Sequence, residues 1–323
     1  MGRKVRQPNP WIQGGFPEIR VHFPSSCGYF SSMASDLNQD SIARQWRSVF
    51  RPWSDVSSDP LPRFQNGPAF DLRNATILGW LSHAVYVDEE DRRKPLLARL
   101  GFHEVAHFST QRLQWSQVSP IDDASTQLVV FRGTSDLRHW IFNMQTLLMP
   151  WPEGGKVHGG FARAYQRVAE ALRAALERVR AEHLYFAGHS LGGALALFAS
   201  TQFASTATYT FGCPRAGNPT FAKRAEEVPV YRIVHDQDLV TTIPYKISFL
   251  KDLAYKHAGT PIQLRPDLPL IMDDPSALPR SRESWKQALH AMLEGDHIGE
   301  PLPALQDHAP SRYVRALREA AAF

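Results

Sequence analysis

Residues His183 to Ser205 read HLYFAGHSLGGALALFASTQFAS, and few folds can accommodate such a stretch. Leu184, Tyr185, Phe186 and Ala187 form a short apolar run of strand type. Gly188-His189-Ser190-Leu191-Gly192 is a tight turn, and Gly193 to Phe203 is small and apolar enough for a buried helix. A strand that passes into a helix through Gly-x-Ser-x-Gly forces its serine into a strained backbone conformation. Side chains two residues to either side would collide there, so glycine occupies both places. The N-terminus of the helix then turns free N–H groups and a positive dipole end towards the serine hydroxyl. The alternative is a glycine-rich turn with an incidental serine, and Gly193 together with the flanking strand and helix weighs against it.

Strands and helices alternate around this turn. Helical spacing runs from Ala69 to Val87, carried by Leu72, Ala75, Leu78, Gly79, Ser82, Val85 and Tyr86, and again over Lys94 to Leu100. Strands are expected at about Phe102–Thr110 and at Thr126–Phe131, whose unbroken apolar run suits burial on both faces. An amphipathic helix follows over Phe161–Arg180. After the elbow come a strand at Ala207–Phe211, a short helix at Pro219–Glu227, a strand at Pro229–Val234 and a last helix at Ser311–Ala322. The pattern implies an α/β fold, with a mostly parallel central sheet and helices on both faces. Right-handed crossovers set the elbow at the carboxyl end of a central strand, where open α/β sheets keep their sites. Residues 1–66 are irregular apart from a helical candidate at Leu37–Phe50, so the organisation expected is an N-terminal extension and a domain over 67–323, interrupted by an insertion at about 246–303.

Composition narrows the functional classes. Of 323 residues, 43% are hydrophobic and 21% charged, an ordinary globular balance, and the formal charge of +4 comes without any Lys/Arg run that would bind nucleic acid. Cys27 and Cys213 are too few for a disulfide framework, and two free thiols are expected. The first residues, MGRKVRQPNPWIQGG, lack the apolar core of a secretory signal, and no apolar run approaches the roughly 20 residues of a membrane span. The expectation is a cytoplasmic protein, or one exported without a standard signal peptide.

A serine nucleophile needs a base, and the base needs an acid to hold its tautomer. In the elbow arrangement both follow the serine in the chain. The acid candidates are Asp236 and Asp238, just past the strand that ends at Val234; position alone does not choose between them, and either could instead cap the turn. Among the later histidines, His235 is too close to the acid, His257 stands at a strand start and His290 lies on an amphipathic helix. His297 and His308 are level on spacing. An oxyanion site needs paired N–H donors; the backbone of Leu191 is one. Val157-His158-Gly159-Gly160 is rejected for the other, because it introduces the helix before the elbow strand.

Several collinear stretches resemble the class 3 lipase family, the fungal triacylglycerol lipase-like α/β hydrolases and their bacterial relatives. They are Phe131-Arg132-Gly133-Thr134, Val157 to Phe161, Gly188 to Gly193, Phe211 to Asn218, His235 to Pro244 and Asp307-His308. The resemblance implies Ser190 as nucleophile, Asp238 as acid, His308 as base and Thr134 as the second oxyanion residue, with no metal or cofactor. It also bears on Asp136 to Met149, where Leu137, Trp140, Ile141, Met144, Leu147 and Leu148 follow a helical stripe that Trp151 extends. By its residues alone this is an ordinary core helix; the resemblance implies a lid over an acyl pocket lined by Leu137, Trp140, Ile141 and Met144, in transient contact with a lipid interface. The function expected is hydrolysis of lipid acyl esters. The rivals are phospholipase A1 or acyl transfer with the same residues, and a silent lipid-binding or interaction protein.

Overall fold

The computed structural model describes residues 61–134, 147–244, 254–265, 271–272 and 306–321, the last pair before 306 by backbone alone. In chain order these form α1 (Leu72–Ala84), α2 (Glu90–Arg99), β1 (Phe102–Ser109), β2 (Gln114–Pro120), β3 (Thr126–Phe131), β4 (Leu148–Pro150), β5 (Lys156–His158) and α3 (Gly159–Arg178). Then come β6 (His183–His189), α4 (Leu191–Gln202), β7 (Ala207–Phe211), α5 (Pro219–Ala225), β8 (Val230–His235), a 3-10 turn (Leu239–Thr242), β9 (Thr260–Leu264), β10 (Ile271–Met272) and α6 (Pro310–Ala321).

The main sheet has the order β1-β2-β3-β6-β7-β8-β9-β10. Strands β3, β6, β7, β8 and β9 are mutually parallel, and antiparallel strands close it at both edges. Alternation along each central strand feeds two apolar layers. Val129, Phe131 and Phe186 face α3, α4 and α5, while Leu128, Val130, Tyr185, Ala187, Tyr209, Phe211 and Ile233 face α1 and α6. A mostly parallel sheet covered on both faces is therefore the architecture, and β6, which carries the elbow, runs near its centre. On the second layer α1 and α6 meet at Gly79, where a Cβ would stand 2.9 Å from Leu317 Cδ1. The small residues of the α1 stripe thus serve a helix–helix contact as well as the sheet.

Two sequence expectations are corrected. β2 was not foreseen, because QWSQVSP is half polar; yet every residue of it is buried. Several of its polar side chains find partners: Gln117 Nε2 donates to Gln127 Oε1 at 3.1 Å and Ser119 Oγ to the carbonyl of Thr126 at 2.9 Å. The helical stripe expected to reach Met149 does not extend that far. Leu148–Pro150 is extended and pairs antiparallel with Lys156–His158. Trp151 does not continue an exposed apolar surface either. It is buried, stacked on Phe198 with centroids 4.6 Å apart, and its indole N–H donates to Thr201 Oγ1 at 3.0 Å. A smaller difference is α2, which starts at Glu90 rather than Lys94, with Glu90 and Asp91 favourably placed in its first turn.

Candidate active site

The elbow is built as its glycines require. Ser190 has φ 58° and ψ −126°, a region costing on the order of 1–3 kcal/mol for a residue with a side chain. Its N–H is fixed by the carbonyl of Phe211 at 2.8 Å, which ties the turn to the end of β7. A Cβ on Gly188 would lie 2.3 Å from Gly192 O, and one on Gly192 would lie 2.1 Å from the carbonyl oxygen of Phe131. No side chain fits at either place. The second contact also shows that the end of β3, where the candidate oxyanion segment begins, packs directly on the elbow.

The candidate acid Asp238 and candidate base His308 meet on the same rim. Asp238 follows β8 and is wholly buried, as is His308, just ahead of α6. Asp238 Oδ2 accepts from His308 Nδ1 at 2.8 Å and from the Tyr313 hydroxyl at 2.6 Å, while Oδ1 accepts the N–H of Val240 at 2.9 Å. A carboxylate only accepts, so the imidazole proton belongs on Nδ1, and Nε2 keeps a lone pair for a proton arriving from elsewhere. His308 Nε2 and Ser190 Oγ are both buried and neither has a hydrogen-bond partner, so the serine–histidine bond is open in this state. Such contacts commonly tighten only around substrate.

Gly212 makes the pairing sterically feasible. It has φ +58°, and a Cβ there would stand 2.7 Å from Asp238 Oδ2 and 2.9 Å from His308 Nδ1. Asp236, the other acid candidate, bends away at φ 36° with its N–H on the carbonyl of Leu264. His257 is held elsewhere: it is bonded through Nε2 to the carbonyl of Thr241 at 2.7 Å, and burial, then Arg232 and Arg215, keep it well below the ordinary imidazole range. His158 caps α3, accepting the N–H of Phe161, so the His-Gly-Gly run does the work of a helix start. Thr134 is half-buried at the end of the β3 loop and Leu191 opens α4 directly after Ser190. Gly133 lies so close that a Cβ on it would come within 3.0 Å of Ser190 Cβ. Leu137, Trp140, Ile141 and Met144 lie outside the described residues, as do His290 and His297.

Two neighbours of the pair complete its surroundings. Asp307 is pushed up to about 6, by burial first and then by Asp236; its Oδ2 accepts the N–H of Gln237 at 3.4 Å, linking the base loop to the acid loop. Burial, with Asp238 alongside, raises the Tyr313 phenol well above its usual value, so it remains a donor. Among the described residues no three His, Cys, Asp or Glu side chains converge as metal ligands, and no helix is long and apolar enough to cross a membrane.

A serine on a strained strand–helix turn, above a parallel sheet and beside a buried histidine–carboxylate pair, defines the α/β-hydrolase class. Within that class, residues 128–248 match the family model "Lipase (class 3)", and it is over this segment that the chain is similar to fungal lipases. It is 34% identical over 140 residues to a lipase of Rhizomucor miehei, covering 38% of this chain and 39% of that protein. A secreted mono- and diacylglycerol lipase 1 of Fusarium solani is 34% identical over 136 residues, or 38% of this chain and 41% of its own. The chain therefore spans about two fifths of the length of these curated relatives. The solved lipase of Rhizopus microsporus var. chinensis superposes with a TM-score of 0.55 at 20% identity, covering 78% of this chain and 92% of that one. For the Lip2 lipase of Yarrowia lipolytica the TM-score is 0.54 at 17% identity, over 72% of this chain and 92% of its own. At such identities the likeness establishes the fold.

Proposed function

We propose that the protein is a serine carboxylic-ester hydrolase that cleaves acyl esters of glycerides, the substrate class for which its Fusarium relative is named. The observation that carries this is the buried His308–Asp238–Tyr313 chain lying on the rim where Ser190 is held at positive φ. In this reading His308 Nε2 takes the proton from Ser190 as Oγ attacks the ester carbonyl. Asp238 stabilises the imidazolium that forms and holds its orientation. The backbone N–H groups of Leu191 and Thr134 receive the oxyanion, where each donor is worth about 3–4 kcal/mol. His308 then returns the proton to the departing alcohol, leaving an acyl group on Ser190. A water molecule deprotonated by the same nitrogen releases the acid and restores the hydroxyl.

The test is covalent and kinetic. Wild-type protein is expected to react stoichiometrically with a fluorophosphonate at Ser190 and to hydrolyse p-nitrophenyl butyrate, while Ser190→Ala does neither. Wild-type turnover by Ser190→Ala would overturn the assignment. Comparing fatty-acid release from diacylglycerol, triacylglycerol and phospholipid separates head groups.

A further inference from the structure

His189 stands inside the elbow motif, and nothing in the proposed chemistry uses its side chain. Its ring is wholly buried, lies 4.5 Å from the ring of His308 between centroids, and has a partner at each nitrogen. Nε2 is 2.8 Å from the backbone carbonyl oxygen of His308, and Nδ1 is 2.9 Å from the hydroxyl of Tyr86. A carbonyl accepts and cannot donate, so the proton sits on Nε2. Nδ1 is then an acceptor, and Tyr86 must donate to it. The Tyr86 oxygen is also packed hard against Gly133, where a Cβ would fall 2.3 Å from it. A single directed chain thus runs from the Tyr86 hydroxyl, seated against Gly133, through the His189 ring to the His308 carbonyl.

The ends of this chain are the segment that carries Thr134 and the residue that carries the base. Its middle is covalently joined to Ser190. We propose that Tyr86 and His189 are positioning residues, a hydrogen-bonded strut that sets the distance between the oxyanion segment and the base. The inference rests on the hydrolase reading for its catalytic consequence.

Other contacts make the strut stiff. Gly133 fits only because it lacks a Cβ, which would fall 2.3 Å from Tyr86 Oη and 2.6 Å from the carbonyl oxygen of His189. The turn after Tyr86 is anchored by Arg93, whose Nη1 donates to the carbonyls of Val87 and Asp88 at 3.2 and 2.8 Å. Arg132, beside Gly133, reaches back to Asp88 Oδ1 at 2.6 Å and Gln114 Oε1 at 2.8 Å. The groups facing His189 are Tyr86, His308, the Tyr313 ring at 5.8 Å and, at longer range, His83. None is an anion, and burial holds His189 well below its ordinary range, in the neutral state the chain requires. Aligned donors in a dry interior polarise one another, which adds rigidity beyond the separate bonds.

The experiment uses Tyr86→Phe, His189→Phe and the double variant in the full chain. Tyr86→Phe keeps the ring and removes one oxygen. A displacement on the order of 1 Å at such a site typically costs about a hundredfold, and kcat on p-nitrophenyl butyrate is expected to fall about 10- to 100-fold with KM within about twofold. Because both residues belong to one strut, the double variant should lose no more than the worse single one. A kcat for Tyr86→Phe within about twofold of wild type, or losses that multiply in the double variant, would overturn the proposal. Imidazole nitrogen resonances supply a readout independent of turnover. His189 should be a neutral Nε2–H tautomer from pH 5.5 to 9, and a ring that titrates there, or carries its proton on Nδ1, also overturns it. If wild-type protein ignores the fluorophosphonate while the tautomer is as expected, the hydrolase reading fails and the strut remains as structure.

Discussion

Replacing Gly212 with alanine should disable the site more than it destabilises the protein. The new Cβ would stand 2.7 Å from Asp238 Oδ2 and 2.9 Å from His308 Nδ1, well inside the roughly 3.5 Å at which non-bonded atoms sit comfortably. One or both groups must retreat by about 0.5–1 Å. The carboxylate has little room to do so, since Val240 holds one oxygen at 2.9 Å and Tyr313 the other at 2.6 Å. The pair's own 2.8 Å bond is the one that stretches. A misplacement of this size costs about 10² in rate, and complete loss of an acid's orienting role about 10⁴, so kcat is expected to fall between those limits. Separately, alanine at φ +58° costs about 1 kcal/mol of strain. Gly101→Ala isolates the strain, because Gly101 has φ +85° and no atom within 4 Å of the place its Cβ would take. It should lower Tm by a similar amount with kcat unchanged. Hydrolysis of p-nitrophenyl butyrate at pH 8, with thermal melts of both variants, reads the two effects. A folded Gly212→Ala protein with kcat within about threefold of wild type would refute the reasoning, since misplacement of this size should cost about 10².

Two further perturbations address the surroundings of the pair. Tyr313→Phe removes a hydrogen bond to a buried carboxylate, a contact worth about 1.5–3 kcal/mol; Asp238 then concentrates more charge on His308, and the acid limb of the kcat/KM–pH profile should move to higher pH, where an unmoved limb contradicts it. Asp307→Asn tests a raised carboxyl. The native group holds its proton up to about 6 while the unfolded chain releases it near 4, so wild-type stability falls as pH rises through that window. The variant should match wild type below about pH 4 and gain on it above about pH 6, by roughly 1 kcal/mol after solvent screening. A gain in Tm that is the same at both pH values would count against it.

Glycine spacing made the elbow legible, because a backbone forced into one conformation leaves its mark locally. The parallel core was equally open to reading, since β3 and β7 are short apolar runs between turn signals. β2 escaped because half of its buried side chains are polar and several are matched only by residues on neighbouring strands, as Gln117 is by Gln127, so no apolar run marks it. Trp151 reads as apolar surface because the rings it meets, Phe198 stacked and Tyr165 and Phe221 edge-on, lie on three other elements. Tyr86 was visible in the α1 stripe as a packing residue, and His189 as a letter within a motif. What neither position discloses alone is the bond between them, which spans 103 residues. Gly212 is intermediate. It was part of a recognisable stretch, but its purpose emerges only once Asp238 and His308 are seen on either side of the missing side chain.

The way α6 docks has a consequence for the order in which the proposed site is assembled. Tyr313 and Leu317 bring this helix down on the sheet and on α1, Leu317 fitting the notch at Gly79, and His308 is carried in immediately before it. The contact between Asp238 and His308 spans 70 residues, and that between His189 and His308 spans 119. As the chain is synthesised, β3, β6, β7 and β8 can pair and bury their apolar faces while the position of the base is still vacant. Long-range contacts of this kind form late, after the loop they close has been ordered. Ser190 and His308 therefore come together only when α1 receives α6, so on the proposed reading a partly folded chain holds a structured serine still without its base.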